Sequence, residues 1–182
     1  MSGISRQTSA EEIAARVSQA LERAGIAATL SGGGAVSIYS HNDYESFDLD
    51  FITNARIEAI AKAIAELGFR RVSGARAFEH PESDFYVEFP PGPLAFGATV
   101  VRDGDVPVLQ TDYGPLRVVT PTQSIMDRLA AYVHWSDRQA LDQAIMVARR
   151  QRIAWNALEE WARREAVDAR LFDKVRRSSD LG

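Results

Sequence analysis

Two aspartates separated by one apolar residue, Asp48 and Asp50 in "SFDLDFI", and a third acid, Glu88 in "DFYVEFP", are the residues of this chain whose types and spacing suit chemistry. On a strand, Phe47, Leu49 and Phe51 share one face. Asp48 and Asp50 then project from the other, with Cα atoms about 6.7 Å apart. Two carboxylates held this way repel unless a cation lies between them, because like charge raises one pKa and opposite charge keeps both ionised. Magnesium suits the arrangement, since this hard ion takes one or two carboxylates and fills its other positions with water and phosphate oxygens. Spacing alone is weak support. With 25 acids in 182 residues, roughly three such pairs arise by chance, and "DGD" at 103–105, without apolar flanks, reads as an exposed turn. Glu88 lies between Val87 and Phe89 with Tyr86 on its own face. It completes a three-carboxylate site if its strand lies beside that of the pair, and otherwise faces solvent on an edge strand.

The glycines of "SGGG", residues 31–34, follow a short apolar strand, so backbone N–H groups there can approach an anion with no side chain in the way. The stretch is neither a Walker A sequence nor GxGxxG. Taken alone it is a sharp turn. With acids fifteen residues on, it would place the triphosphate of a nucleotide over the metal. His41 and His80 have no second histidine at ligand spacing, which argues against zinc.

Several elements must position these groups. Residues 9–24 form an amphipathic helix capped by Ser9, with Glu12 three residues on and Gly25 as its stop. A strand runs to Leu30, a glycine turn follows, and a new element starts at Ala35. "FDLDFIT" is a strand, and "ARIEAIAKAIAELGF" a helix ending at Gly68. From 69 to 119, "RRVSG", "AFEH", "DFYVEF", "VPVLQT" and "LRVVT" read as strands of one sheet. After Pro121 the pattern is helical to the end, through "PTQSIMDRLAAYVHW", "DRQALDQAIMVARR" and "WNALEEWARREAVDARLFDKVRR". The outline is α+β: a body over residues 1–119 followed by a helical C-terminal portion over 120–182.

A strand, Gly32-Gly33, a spacer, "DLDF" and a later "VEF" strand resemble the nucleotidyltransferase superfamily of polymerase-beta-like fold, over roughly residues 26–90. The segment "PTQSIMDRLAAYVHWSDRQALDQAIMVA" is similar to the helical part of small bacterial members related to the toxin of abortive-infection systems. The resemblance implies a nucleotidyltransferase-like mixed sheet flanked by helices. It implies Mg2+ as cofactor, held by Asp48, Asp50 and Glu88 as metal ligands and catalytic residues. A nucleotidyl group would move from an NTP to a hydroxyl acceptor with release of pyrophosphate. In those relatives a basic residue of a "DKL"-like segment and a following acid face the nucleotide, and the matching positions are Arg128 and Asp137. Gly32 and Gly33 would hold the phosphates. The family often has serine where this chain has Gly33, so Ser31 or Ser37 would supply the hydroxyl contact. The spacer of fourteen residues is long for the pattern, and "NDYESFD" offers Tyr44 and Glu45 where abortive-infection relatives carry arginine. The acceptor is left open among RNA, protein and small molecule. The alternative reading is a catalytically silent nucleotide- or protein-binding member, such as a toxin–antitoxin component.

Composition is consistent with this outline. At 46% hydrophobic residues the chain can bury one sizeable core, and a net charge of -4 gives no global reason to expect nucleic-acid binding. No cysteine is present, which rules out disulfides and thiolate chemistry. No stretch reaches the length of a membrane span, so a cytoplasmic protein without a membrane partner is expected. His134-Trp135 could stack a base, although helix packing is the commoner role of such residues. Arg70, Arg71 and Arg76 form a basic cluster that reads as a solvated face. The stripe Trp155, Leu158 and Trp161 belongs to the core or to the seam of a homodimer.

Overall fold

In the computed structural model, which describes residues 3–179, the alternation around the acid pair produces β2 (Asp48–Ile52). Leu49 and Phe51 are fully buried, and Asp48 and Asp50 point the other way. Phe47 precedes the strand and is 50% exposed, tilted against Phe85 at 5.5 Å. The buried set of this strand therefore begins at Leu49.

Four further strands join β2: β1 (Thr29–Ser31), β3 (Arg70–Arg71), β4 (Ala77–Glu79) and β5 (Tyr86–Glu88). Their order is β1-β2-β5-β4-β3, with β2 and β5 parallel and the other pairs antiparallel. The sheet is thus mixed, as the sequence predicts. Leu30, Leu49, Phe51, Phe78, Val87 and Phe89 fill its inner face, and Phe89 meets Phe51 and Phe78 at ring separations of 6.0 and 5.5 Å.

The later strands differ from expectation. Ala95–Phe96 (β6) with Thr99–Val100 (β7), and Val108–Thr111 (β8) with Gly114–Arg117 (β9), form two separate hairpins rather than extending the main sheet. Each hairpin pairs its two strands with each other. Local pairing satisfies the backbone, and strand texture in sequence does not distinguish the two outcomes. A bridge from Val118 to Leu30 and the Val119 N–H on the Leu30 carbonyl, at 3.0 Å, tie the end of the second hairpin to β1.

The helices follow their sequence signals closely. Ser9 accepts the Glu12 N–H at 3.2 Å to cap α1 (Ala10–Arg23). The third helix, α3 (Ile57–Ile64), tightens into a 3-10 turn and stops at Gly68, whose φ of 90° is left-handed. Thr120 and Gln123 form a capping box that starts α4 (Pro121–Trp135), followed by α5 (Arg138–Arg150). The final helical stretch is broken: α6 (Trp155–Arg164) and α7 (Ala169–Ser179) are separated by a turn with Ala166 at φ 53°. Leu158 and Trp161 are buried within the chain and belong to its core, and Trp155 is half-buried with its ring edge-on to Phe172. Arg76 donates to the Phe89 and Ala55 carbonyls at 2.6 and 3.1 Å, which makes it a structural residue. No helix among the described residues is long and apolar enough to cross a membrane.

The glycines are the main correction. No turn separates β1 from a later element, because α2 (Gly32–Tyr39) begins on the residue after the strand. Three glycines are poor helix formers, but Ala35, Val36 and Tyr39 are buried in the core, and tertiary packing outweighs propensity. Tyr39 fastens this helix: its hydroxyl donates to the Val119 carbonyl at 2.6 Å, and burial pushes the phenol well above its usual range, so it stays protonated. The Gln151 side-chain amide donates to the Tyr39 carbonyl at 2.8 Å. Tyr39→Phe is expected to cost about 1–3 kcal/mol, the usual penalty when a buried acceptor loses its donor. Urea denaturation should show this as a lower midpoint at unchanged m-value.

Candidate functional site

The strand register builds the site. Ser31 stands opposite Asp50, Asp50 beside Glu88, and Glu88 opposite Ala77. These four form a row across one face of the sheet. Neighbouring strands lie about 4.8 Å apart, so Asp50 and Glu88 are adjacent, and Asp48 lies two residues along the same strand. The structure therefore brings together the three acids that the sequence singles out, with Glu88 on an interior strand and not at an edge.

The environment of Asp50 shows how closely these charges are held. Burial is the first reason its carboxyl is raised to about 6, followed by the negative charges of Glu88 and Asp48. Arg128 pulls the other way, and Asp127 adds a smaller upward push. Among the described residues, no three Asp, Glu or His side chains already converge as a metal cluster. The donor set nevertheless fits a hard divalent cation. It is oxygen only, it shares one face, and its central member is costly to ionise until positive charge arrives.

The N-terminus of α2 faces this row. Ser31 is its N-cap residue, yet its hydroxyl makes no capping bond and is buried without a partner. Gly32 has φ 63°, and a Cβ there would stand 2.8 Å from the Asp50 Oδ2, so both backbone and space demand glycine. Its N–H donates to the Asp127 Oδ2 at 3.2 Å. That oxygen also receives the Arg128 Nη2 at 2.7 Å, and the Arg128 Nη1 donates to the Gln143 Oε1 at 3.1 Å on α5. Ser31, Gly32, Asp50, Asp127 and Arg128 line a cleft of about 280 Å³, walled opposite by Pro90, Pro91 and Pro93. Larger cavities of about 690 and 950 Å³ lie elsewhere and do not touch the carboxylate row.

No family model matches the sequence, and no curated protein does. Solved structures do match. The crystal structure of an antigenic nucleotidyltransferase-like protein from Paracoccidioides brasiliensis aligns over 93% of this chain and 94% of its own, with a TM-score of 0.59 at 12% identity. The chain has a nucleotidyltransferase-like fold. Two structures of the antibiotic-resistance factor ANT(2'')-Ia also align at 13% identity. One, in solution, covers 94% of this chain and 91% of its own with a TM-score of 0.48. The other, in complex with adenylyl-2''-tobramycin, covers 94% and 97% with a TM-score of 0.47.

Within this nucleotidyltransferase-like fold, the glycine that replaces the expected serine has a physical reason. A Cβ on Gly33 would lie 2.8 Å from the Ser46 Oγ and 3.3 Å from the Tyr44 Cε1. The long spacer folds back over the helix start and occupies the volume a side chain would need. Ser37 is not brought to the cleft. It is fully buried, donates to the Gly33 carbonyl at 3.1 Å and accepts the Ser46 N–H at 2.8 Å, so it anchors the spacer. Of the two hydroxyls weighed, Ser31 is the one at the cleft.

Asp137 also lies outside the cleft lining. It caps α5, its Oδ1 accepting the Gln139 N–H at 3.1 Å. The acid beside Arg128 at the cleft is instead Asp127. The signal was present in "MDRL", where aspartate directly precedes the arginine.

Two outcomes follow. Gly33→Ser is expected to destabilise by about 1–3 kcal/mol through overpacking, measured by urea denaturation. Asp50 binds its proton more tightly folded than unfolded, so stability falls as pH rises from its ordinary value of 3.8 to about 6. Metal-free Asp50→Asn should then be more stable than the parent at pH 7.5, by about 1–2 kcal/mol after allowance for partial exposure, with the gap closing near pH 4. Magnesium should raise the melting temperature of the parent but not of the variant.

Proposed function

We propose that this protein is a magnesium-dependent nucleotidyltransferase that moves a nucleotidyl group from an NTP to a hydroxyl acceptor. The observation that carries this reading is the row Asp48, Asp50 and Glu88 on one sheet face, directly beside the start of α2, in a chain with a nucleotidyltransferase-like fold. The triphosphate would lie at the first turn of α2, where the positive end of the helix dipole favours anions. The unpartnered Ser31 hydroxyl would donate to a phosphate oxygen, and Arg128 would offset its charge. Asp48, Asp50 and Glu88 would hold magnesium, which when bound supplies charge stabilisation to the attacking and leaving oxygens.

Glu88 would orient the acceptor hydroxyl and accept its proton as the oxygen bonds to the α-phosphorus. The bond from that phosphorus to the bridging oxygen breaks, and pyrophosphate leaves. Positioning and electrostatics would provide most of the rate enhancement. Asp127 serves as a positioning residue, orienting Arg128 and holding the Gly32 amide.

The test is incubation with magnesium and each α-labelled NTP in the presence of RNA, protein or small hydroxylated acceptors, with pyrophosphate release followed in parallel. Label transfer is expected, with Asp48→Asn and Glu88→Gln each lowering it at least a hundredfold, as loss of a charge-stabilising group does. Release of inorganic phosphate instead of pyrophosphate, or full activity in Asp48→Asn, would sink the proposal. NTP binding without any transfer would identify a silent member of the fold.

A further inference from the structure

Trp135 is the least ordinary surface residue of the chain. It ends α4 at 82% exposure, whereas tryptophan is highly buried on average. Among the described residues its ring makes no aromatic contact and its indole N–H no hydrogen bond. Packing, the commoner role for an aromatic at a helix end, therefore does not account for it.

Trp135 borders a slot of about 600 Å³ between α4 and the β6–β7 hairpin. Gly97 and Ala98 line one side, and Ala130 and Ala131 line the other. These residues have little or no side chain to fill the space, which leaves room for a planar group. The slot opens toward the carboxylates, because Ala95, Asp127 and Arg128 line both it and the cleft at Asp50. Along α4, Arg128, Ala131 and Trp135 recur at i, i+3 and i+7, so they share one helix face. Trp135 lies two turns, or about 10.5 Å, beyond Arg128. That span is on the scale of a ribose and its base.

The opposite wall is fixed in place. Glu165, at the end of α6, accepts the Ala98 N–H at 2.9 Å and the Thr99 hydroxyl at 2.7 Å. These bonds hold its carboxyl below the usual range and tie the hairpin tip to the helices. Gly97 has φ 64°, and any Cβ there would collide with the Glu165 carboxylate. The slot is thus a built space and not a gap between loose loops.

We propose that this slot is the nucleobase subsite, with the base of the NTP stacked on Trp135 and the phosphates running past Arg128 toward Asp50. The proposal rests on the transferase reading above and adds where the base sits. Stacking on an exposed indole tolerates any base, since each offers a π-face, so all four NTPs are expected to bind.

The experiment follows tryptophan fluorescence and calorimetry as each NTP, and separately inorganic tripolyphosphate, is titrated with magnesium. NTPs should quench the parent, and Trp135→Ala should weaken each by about 5- to 100-fold, the scale of a lost base stack. Trp135→Phe should recover most of the affinity, and tripolyphosphate should bind parent and variants alike. In turnover, KM for the NTP should rise with kcat little changed. Parental NTP affinity in Trp135→Ala overturns the base subsite while leaving the transferase reading intact. A parent that binds neither NTP nor tripolyphosphate overturns both.

Discussion

Mutual repulsion of carboxylates on one sheet face is the constraint around which this molecule is organised. The parallel register of β2 and β5 sets Asp50 beside Glu88, and the pleat sets Asp48 on the same side. Burial of Leu49, Phe51, Val87 and Phe89 on the opposite face leaves the strands no freedom to turn the acids away. A one-residue slip would expose four apolar side chains, so the hydrophobic core enforces an unfavourable charge arrangement. Natural proteins accept such a cost where the site has work to do.

Arg128, paired with Asp127, answers this charge from the other half of the chain. The pair arrives on α4, is largely buried, and is braced by Gln143 on α5 and by the Gly32 amide. Since Val118 and Val119 bond alongside Leu30, the start of α4 is delivered next to the start of α2. The helical portion is therefore part of the site, and its packing on α2 through Tyr39 serves geometry as well as stability.

Local patterns made much of this legible in the sequence. The period-2 alternation around Asp48 and Asp50 and the setting of Glu88 located the carboxylate row, because a half-buried strand leaves its acids only one direction. Helix caps at Ser9, Thr120 and Gly68 were equally readable. Non-local choices were not. Nothing in "VPVLQT" or "LRVVT" says whether a strand joins the main sheet or pairs with its neighbour. Gly32 to Gly34 read as a turn because propensity speaks against a helix, and only the burial of Val36 and Tyr39 reverses that. Ser37, Asp127 and Asp137 were missed or misplaced for a related reason: which side of a helix meets the site depends on docking between segments far apart in sequence.

The hydrogen bond from Gly32 to Asp127 joins residues 95 positions apart, and it orders events in time. During synthesis the whole carboxylate row is made before its balancing arginine exists. A nascent chain that has reached β9 holds the acids but lacks α4, so it carries the repulsion without the relief. Long-range closures of this kind form late, after the entropy of the intervening loop has been overcome. The carboxylate face is thus complete only once α4 has been made, and the chain passes through a stage in which its most charged sheet face is also its least supported one.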